Sequence, residues 1–327
     1  MGDLISCSLL NEFFSLLRKK ETVVIDNDLL HNLFNDDLNL LTRTVCFYEQ
    51  ECKLEFNKQY YNQQLISICL LSDVDELHLI QNDNPNIKFF NFIDSTNFYL
   101  FKCCSHSIID YQVAVADFQT NGYGRNQKEF VSSFGKQLLF SFALTFDKLE
   151  DLNGLSLVIG LSIIKTLEKL GYKNLNIKWP NDIYLNKKKI CGIIVETKFF
   201  NKQLVVIVGV GINVLNFDFS RISNNNVSSL EENEMRNTII NRRVLLTHII
   251  KDIKSYMNKF KCESLLPFID EFESKDLFAN QIVQAFSEKK SVFGRNIGIT
   301  NEGYLKLLDS FGNELIIYSG DISIRVI

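Results

Sequence analysis

The sequence predicts a mixed α/β protein built from three parts. Apolar residues recur at helical spacing near the N-terminus, a central block alternates apolar strands with one strong helix, and the end carries short β-like runs between turns. A chain of 327 residues with 46% apolar content can bury substantial cores, and its length suggests two or three domains. The net charge of −4 gives no global attraction to nucleic acid or an anionic membrane, so any basic site must be local.

The cysteines and the N-terminus indicate the expected cellular compartment. The eight cysteines form no CxxC pair and have no histidine cluster at zinc-binding spacing, so free thiols are expected. Asp3 lies where a secretory signal would carry Lys or Arg, and no apolar run approaches the roughly 18 residues of a membrane span. We expect a cytoplasmic protein with no membrane partner.

Residues 1–85 are expected to form an N-terminal winged-helix-like domain. Asn27 or Asp28 could cap its second helix. The predicted order of helix, strand, helix and helix suits a helix-turn-helix arrangement. These elements lie at Leu9 to Leu17, Val23 to Ile25, Leu29 to Phe34 and Leu38 to Gln50.

The charge of this N-terminal part argues against strong DNA binding. Up to residue 64 it carries six basic and ten acidic side chains, so few phosphates could be neutralised. A basic face could still be assembled from Arg18 to Lys20 together with Arg43. The sequence therefore leaves DNA as a partner open.

Residues 86–275 are expected to form a mixed α/β catalytic domain, after a polar linker from Gln81 to Asn86. A helix is predicted from Gly154 to Leu170, with Gly171 as its terminator. Residues 216–236 are expected to be a mobile loop, and a helical stretch should follow from Thr238 to Phe272. Short turns join strands predicted at Asn174 to Trp179, Ile183 to Leu185, Ile190 to Phe199 and Gln203 to Leu215.

The most informative motif is KWPND at 178–182, followed seven residues later by Lys189. Pro180 fixes the backbone of a tight turn that presents Asp182. Lys189 begins an apolar strand, where burial would force it to find an anionic partner such as a ligand carboxylate or phosphate. Alternatively, the turn carries an incidental carboxylate, and the run Lys187 to Lys189 is a solvated turn.

Three further motifs could contact a ligand. In the loop from Gln119 to Lys128, two glycines allow backbone N–H groups to approach an anion, while Arg125 and Lys128 supply charge, although a surface loop is the simpler interpretation. Asp94 to Asn97 could cap a helix or bind a polar ligand. Glycines within the strand Gly209 to Asn213 would weaken pairing unless something, such as a nucleoside, must approach the backbone closely.

Taken in order, the motifs DSTN, QTNGYGR, FGKQLLFS, GLSLVIG, KWPNDIYLNKKKICGIIVE and VGVGIN closely resemble those of the biotin protein ligase family. The resemblance covers about residues 89–215. It implies a class II synthetase-like catalytic domain with a mixed sheet. Residues 276–327, with glycines at 294, 303 and 320, are similar to the family's C-terminal SH3-like β-barrel, in keeping with the five or so short strands expected there.

The resemblance also implies a two-step reaction. The carboxylate of biotin would attack the α-phosphate of ATP, and a lysine of the biotin carboxyl carrier protein of acetyl-CoA carboxylase would then attack biotinyl-adenylate. Arg125, Lys189 and Asp182 would be catalytic, with Asp182 orienting Mg²⁺. Biotin would contact Ser95, Thr96, Asn97, Gln119, Gly122, Tyr123, Gly124, Arg125, Lys189 and Gly192. ATP would contact Arg125, Lys128, Phe130, Asn181, Asp182, Lys189 and Asn213.

The glycine-containing loop departs from the family pattern GRGRRGRxW, because here it has the sequence GYGRNQKEF. Its lower positive charge leads us to expect a difference in adenylate retention, although Phe130 can still stack on adenine. The resemblance further implies a sheet-to-sheet contact, used for a homodimer or for docking the carrier.

Two rival functions remain at this point. A lipoate ligase would share the fold and reaction logic, but KWPND and the SH3-like tail argue against it. A non-catalytic biotin-sensing transcriptional regulator, or a ligase that is also a biotin-operon repressor, would explain the N-terminal part. Arg125, Asp182 and Lys189 favour catalysis.

Overall fold

The computed structural model describes residues 5–19, 21–72, 74–222, 226–233, 240–286, 291–318 and 323–326. Within these residues the chain forms three sheets, of three, seven and five strands, with helices packed against them. The predicted mixed α/β fold is confirmed. In this described part of the chain, no helix is both long and apolar enough to cross a membrane.

The N-terminal part has the predicted order of elements, followed by a hairpin. Asp26, in extended conformation, accepts a hydrogen bond from the backbone N–H of Leu29 and so caps the second helix. The expected cap at Asn27 or Asp28 is wrong by one or two residues. The sheet order is β1-β3-β2. The elements are α1 (Cys7–Leu17), β1 (Val23–Val24), α2 (Asn27–Phe34), α3 (Leu38–Gln50), β2 (Phe56–Tyr61) and β3 (Gln64–Leu70).

The segment after β3 packs with the central part of the protein. It contains a 3₁₀ turn (Leu77–Leu79) and α4 (Ile80–Asp83). Leu77 and Ile80 are buried in the core of the seven-stranded sheet. The chain therefore enters the central core before the polar stretch Gln81 to Asn86, and the domain boundary at residue 85 stays a prediction.

The central sheet has the order β4-β5-β6-β10-β9-β8-β7, in which β4 and β5 are parallel and the other neighbours are antiparallel. The predicted hairpin strands are confirmed, with ends shifted by at most two residues. The strands are β4 (Ile87–Ile93), β5 (Val113–Gln119), β6 (Gln137–Phe146), β7 (Leu175–Lys178), β8 (Asp182–Leu185), β9 (Lys188–Phe200) and β10 (Gln203–Asn213).

Helices cover both faces of this sheet. On one face α5 (Thr96–Cys104) packs on β5, β6 and β10. On the other, α6 (Leu155–Lys169) lies between the sheet and α7 (Arg242–Glu263). Gly154 and Gly171 flank α6 with φ of +80° and +97°, as expected for residues that bound a helix in left-handed conformation.

The expected helix from Thr238 to Phe272 is interrupted. Ser264 leaves the helical conformation with φ 55° and ψ −149°, and Pro267 then lies in a 3₁₀ turn before α8 (Ile269–Lys275). Proline cannot donate the backbone hydrogen bond that a continuing helix needs. Thr238 lies outside the described residues.

The segment expected to be a mobile loop is packed where it is described. Ser228, Ser229 and Leu230 are buried, and Leu230 belongs to the central core. The backbone N–H of Lys189 donates to Asn226, and Ser228 donates back to Lys189, each at 2.9 Å. Residues 223–225 and 234–236 of this segment lie outside the described residues.

The C-terminal part is a five-stranded antiparallel sheet with the order β14-β13-β12-β11-β15. Its inward side chains join the central core, and the indole N–H of Trp179 donates to the carbonyl oxygen of Gly303 at 3.0 Å. The predicted number of strands is confirmed, and closure into a barrel stays a prediction. The strands are β11 (Ile282–Phe286), β12 (Ser291–Ile299), β13 (Leu305–Leu308), β14 (Glu314–Ile317) and β15 (Ser323–Val326).

An aromatic cluster joins the N-terminal part to the central sheet. Phe14 of α1 lies 5.4 Å from Phe92 and 4.9 Å from Phe134, measured between ring centroids, and Phe47 of α3 lies 5.8 Å from Phe118. These edge-to-face contacts stabilise the interface beyond simple area burial. The two parts therefore share one hydrophobic core.

Asn11 of α1 also binds the edge of the central sheet. Its Nδ2 donates to the carbonyl oxygen of Phe92 at 2.6 Å, and its Oδ1 accepts from the N–H of Phe92 at 3.0 Å. Strand β4 is an edge strand, whose backbone groups here would otherwise lack a strand partner. A side chain of α1 thus satisfies both of them.

A buried ionic network connects the same regions. Arg242 is fully buried; it binds both oxygens of Asp75, one oxygen of Asp117 and the carbonyl oxygen of Gln137, each at 2.7 Å. Arg18 at the end of α1 donates to the other oxygen of Asp117. Burial alone would raise the pKa of Asp75, but hydrogen bonds and charge from Arg242 outweigh it and hold that pKa below its usual value.

Candidate active site

A cavity of about 720 Å³ lies against the central sheet. Its lining comes from the start of α5, the loop after β5, the turn before β8, and strands β6, β9 and β10. A cleft with convergent polar groups is the usual form of a small-molecule site. All predicted ligand residues except Gly122 line it: Ser95, Thr96, Asn97, Gln119, Tyr123, Gly124, Arg125, Lys128, Phe130, Asn181, Asp182, Lys189, Gly192 and Asn213.

Neutral hydrogen-bonding groups cluster at the start of α5. Ser95 caps this helix by accepting from the N–H of Phe98; the sequence indicated a cap or a ligand contact somewhere from Asp94 to Asn97. The backbone N–H and hydroxyl of Thr96 both bind Oε1 of Gln119, at 2.8 and 3.0 Å. Ser141 of β6, which the sequence analysis missed, lies 2.6 Å from the Thr96 hydroxyl. This end of the cavity suits a neutral polar ring.

Glu196 of β9 was also missed, and it joins this cluster to the glycine-containing loop. Its Oε2 accepts from Nδ2 of Asn97 at 2.5 Å and from the hydroxyl of Tyr123 at 3.0 Å. Burial and the nearby carboxylate raise the pKa of Tyr123 to about 12, so its hydroxyl keeps its proton and acts as a donor at neutral pH.

The loop from 122 to 130 is stabilised by backbone hydrogen bonds between its own residues. Tyr123 and Glu129 form an antiparallel bridge, the N–H of Gly124 donates to Lys128 at 2.8 Å, and that of Phe130 donates to Gly122 at 2.9 Å. Gly122 lies behind the cavity wall, where a Cβ would come within 3.1 Å of the Gln119 amide nitrogen. Its role here is to let the loop pack on Gln119.

The two strand glycines of β10 do allow close approach, but side chains of this chain make that approach. A Cβ on Gly209 would lie 2.4 Å from Oδ1 of Asn97, and one on Gly211 would lie 2.6 Å from the ring of Phe130. Real Cβ contacts are longer than these distances. The suggested nucleoside is therefore not needed to explain the glycines.

Charged groups also line the cavity. Nζ of Lys189 lies 2.7 Å from Oδ1 of Asp182, with side chains 31% and 20% exposed. Arg125 Nη1 donates to the side-chain oxygen of Asn181 at 3.2 Å. Lys188, by contrast, binds Glu232 on the surface. Lys189 therefore lies in the cavity, and the interpretation of all three lysines as a solvated turn is wrong.

Asn213 forms part of the wall with both ends of its amide engaged. Its Oδ1 accepts from Nε2 of Gln137 at 3.0 Å, and its Nδ2 donates to the carbonyl oxygen of Ser228 at 3.0 Å. These bonds join β6, β10 and the 226–233 segment. Its predicted contact with ATP stays a prediction.

Known proteins resemble this chain over most of its length. Residues 89–213 match the Biotin/lipoate A/B protein ligase family. The bifunctional ligase/repressor BirA of Escherichia coli is 32% identical over 251 residues, which are 75% of this chain and 76% of that protein. The chain belongs to the biotin protein ligase family.

Other members of the ligase family agree in sequence and in fold. The bifunctional ligase/repressor BirA of Bacillus subtilis is 27% identical and covers 78% of this chain and 76% of that protein. The biotin protein ligase from Aquifex aeolicus, solved in complex with biotin and ATP, superposes with a TM-score of 0.64 at 31% identity, covering 74% of this chain and 99% of that chain. The ligase is thus an enzyme with the class of fold predicted from its sequence.

Some of the ligase's site residues could not be found from motifs. Ser141 lies opposite Gly209 in the pairing of β6 with β10, and Glu196 lies opposite Ile207 in the pairing of β9 with β10. The only local signal for Glu196 is a carboxylate within an apolar strand. Ser141 and Glu196 lie near Asn97 because of the register in which β6, β9 and β10 pair, and short sequence motifs do not reveal strand register.

Proposed function

We propose that this ligase forms biotinyl-adenylate from biotin and ATP and then transfers biotin to a lysine of the biotin carboxyl carrier protein of acetyl-CoA carboxylase. The observation that carries the proposal is that one cavity combines two kinds of polar group. Neutral hydrogen-bonding groups at the start of α5 and the cations Arg125 and Lys189 line the same cavity. A ligand with a neutral ring and an anionic tail matches this arrangement, and the Aquifex ligase was solved with biotin and ATP.

In the first step, the biotin carboxylate attacks the α-phosphate, an O–P bond forms, and pyrophosphate leaves. Arg125 and Lys189 would hold the two anions together and neutralise the charge that develops during transfer. Lys189 is already paired with Asp182, so its ammonium is held in the cavity before a ligand arrives. In the second step, the neutral amine of the acceptor lysine attacks the acyl carbon, and AMP leaves.

Asp182 is the proposed protein ligand for Mg²⁺. Among the described residues, no group of three or more His, Cys, Asp or Glu side chains could hold a metal. Mg²⁺ commonly uses one or two carboxylates together with substrate phosphates and water. A single carboxylate next to the proposed phosphate end fits an ion that arrives with ATP, where it would offset phosphate charge.

Lys189→Ala tests the proposal, with Lys188→Ala as the matched control. Loss of a charge-assisted hydrogen bond costs on the order of 1.5–3 kcal/mol, so we expect adenylate formation to slow by roughly tenfold to a hundredfold. Lys188 binds Glu232 outside the cavity, and its removal should leave the rate near wild type. Pyrophosphate release is the measurement. Equal rates in both variants would contradict the assigned role of Lys189.

The same assay separates the alternatives. A biotin ligase releases pyrophosphate only when biotin is present and labels the carrier domain, whereas a lipoate ligase does so with lipoate. A non-catalytic sensor releases none. We therefore expect pyrophosphate release and transfer to the carrier to depend on biotin. Pyrophosphate release with lipoate but not with biotin would contradict the assignment of biotin as the substrate.

A repressor role is a weaker proposal. The helix order of the N-terminal part and the names of the BirA relatives favour it. The positions of its basic residues oppose it. Arg18 is engaged with Asp117 in the buried network, and Lys58 binds Glu49 of α3 at 2.7 Å. These contacts leave fewer cations for DNA phosphates than the sequence count suggested. Homodimer formation and a cytoplasmic location likewise stay predictions.

A further inference from the structure

Glu196 connects three separate elements of the candidate site. It projects from β9, accepts from Asn97 of α5, and accepts from Tyr123 of the 122–130 loop. Both donors are neutral groups, and no ion pair to this carboxylate is found in the described part of the chain. A hydrogen bond from a neutral donor to a charged acceptor is stronger than one between neutral groups. Glu196 is therefore well placed to hold both elements in position.

The carboxylate also determines which way the Asn97 amide faces. Because a carboxylate only accepts hydrogen bonds, it takes the Nδ2 side and leaves Oδ1 facing Ser141. The hydroxyl of Ser141 then donates to Oδ1 of Asn97 at 2.5 Å. Since that hydroxyl has one hydrogen, the oxygen of Ser141 can only accept from Thr96.

This order of donors and acceptors continues into the cavity. The single hydroxyl hydrogen of Thr96 is engaged by oxygens of this chain, Oγ of Ser141 at 2.6 Å and Oε1 of Gln119 at 3.0 Å, so the Thr96 oxygen can offer only lone pairs to a ligand. Gln119 takes the backbone N–H of Thr96 on its Oε1, so its Nε2 is the side that can donate. The cluster thus offers acceptors and donors in fixed places, as a cyclic urea with one carbonyl and two N–H groups requires. An apolar ring would leave them unsatisfied.

We propose that Glu196 is a positioning residue that makes the site select a cyclic urea, as carried by biotin, and that holds the 122–130 loop against β9 through Tyr123. The inference rests on the proposed ligase function. Glu196 acts through Asn97 and Tyr123. Its removal should therefore weaken binding of the ring and retention of the adenylate, and it should affect the chemical step less.

Three variants of the full-length chain test this role. Glu196→Gln retains size and removes the charge, and Tyr123→Phe removes only the loop hydroxyl. Tyr99→Phe is the matched control, because Tyr99 also lies near the start of α5 but packs on Phe90, with ring centroids 4.7 Å apart. The measurements are the KM for biotin, the kcat for pyrophosphate release, and the dissociation rate of a non-hydrolysable biotinyl-adenylate analogue.

For Glu196→Gln we expect the KM for biotin to rise roughly tenfold to a hundredfold, with kcat within about threefold of wild type. Tyr123→Phe removes the bond to Glu196 and should speed dissociation of the adenylate analogue by about tenfold. Glu196→Gln weakens that same bond by removing the charge of its acceptor, so the two changes should be less than additive in the double variant. Tyr99→Phe should match wild type in each measurement.

Two results would overturn the proposal. One is that Glu196→Gln leaves the KM for biotin and the dissociation rate of the analogue unchanged and lowers only the stability of the fold, as measured by thermal unfolding. The other is full additivity of the Glu196 and Tyr123 changes. A wild-type chain that releases no pyrophosphate with biotin would instead contradict the proposed function, so the two failures are distinguishable.

Discussion

Replacing Arg242 with methionine should strongly destabilise the protein. Arg242 is fully buried, and its guanidinium binds two carboxylates and one backbone carbonyl. Methionine fills a similar volume but supplies no donor. Among the described residues, Asp117, which is also fully buried, would keep Arg18 alone as a cationic partner, and the carbonyl oxygen of Gln137 would lose this donor.

The expected magnitude follows from these lost contacts. Removing one partner of a buried ion pair costs about 3–5 kcal/mol, because the remaining charge is left in a poorly solvated place. Asp75 is nearer the surface, with a side chain 29% exposed, so water can solvate it and its share of the loss should be small. We therefore expect a decrease of about 3–4 kcal/mol in the free energy of unfolding.

Urea denaturation followed by tryptophan fluorescence measures this change. The chain has a single tryptophan, Trp179, which is 1% exposed in the central core and so reports on the relevant unfolding. The neighbouring variant Arg243→Ala is the matched control, since Arg243 binds Asp83 at the surface and its removal should have little effect. A similar, small loss in both variants would refute the argument that burial makes the Arg242 network important.

Three further predictions follow from the same structure. Although burial opposes it, Arg242 holds the folded-state pKa of Asp75 below its usual value, so the stabilising effect of this carboxylate is present above about pH 5 and is lost as the pH falls through the folded pKa. Urea titrations at about pH 5 and pH 3 should therefore show a smaller loss of stability in acid for Asp75→Asn than for wild type. Gly211→Ala would place a Cβ 2.6 Å from the ring of Phe130, so the ring should move and biotinyl-adenylate should dissociate about tenfold faster; a dissociation rate equal to wild type would show that the ring is not part of the binding wall. A mobility shift on the protein's own biotin-operon promoter, with adenylate and about 0.15 M salt, should show only weak binding, and sub-micromolar, sequence-specific binding would contradict this.

The sequence predicted best those features that depend on neighbours along the chain. The turn that presents Asp182, the glycine that ends α6, and a cap within Asp94 to Asn97 all follow from local backbone preferences. The cap of α2 was misplaced because Asp26 and Asp28 are chemically equivalent candidates two residues apart. Residue preferences at helix N-termini therefore limit the cap of α2 to a few neighbouring residues but do not identify which one it is.

Features that depend on tertiary contacts could not be predicted in this way. The ionic partners of Arg242 are separated from it by 125 and 167 residues. Ser141 reaches Asn97 only because β6 pairs with β10 in one register, and because Gly209 leaves room for the amide. Nothing in the spacing of these residues along the chain indicates that they meet.

The seat of α1 on the edge of the central sheet has a consequence for how this chain can change over time. Helix α1 supplies Asn11 to β4 and Phe14 to a shared core. Deleting it would leave the edge of β4 without hydrogen-bond partners and a cluster of phenylalanine rings exposed to solvent. Selection for a stable sheet would therefore preserve the fold of the first seventy or so residues, even in a lineage in which this part did not bind DNA. In such a lineage basic surface residues would drift away first, while the face turned towards the sheet would stay constant.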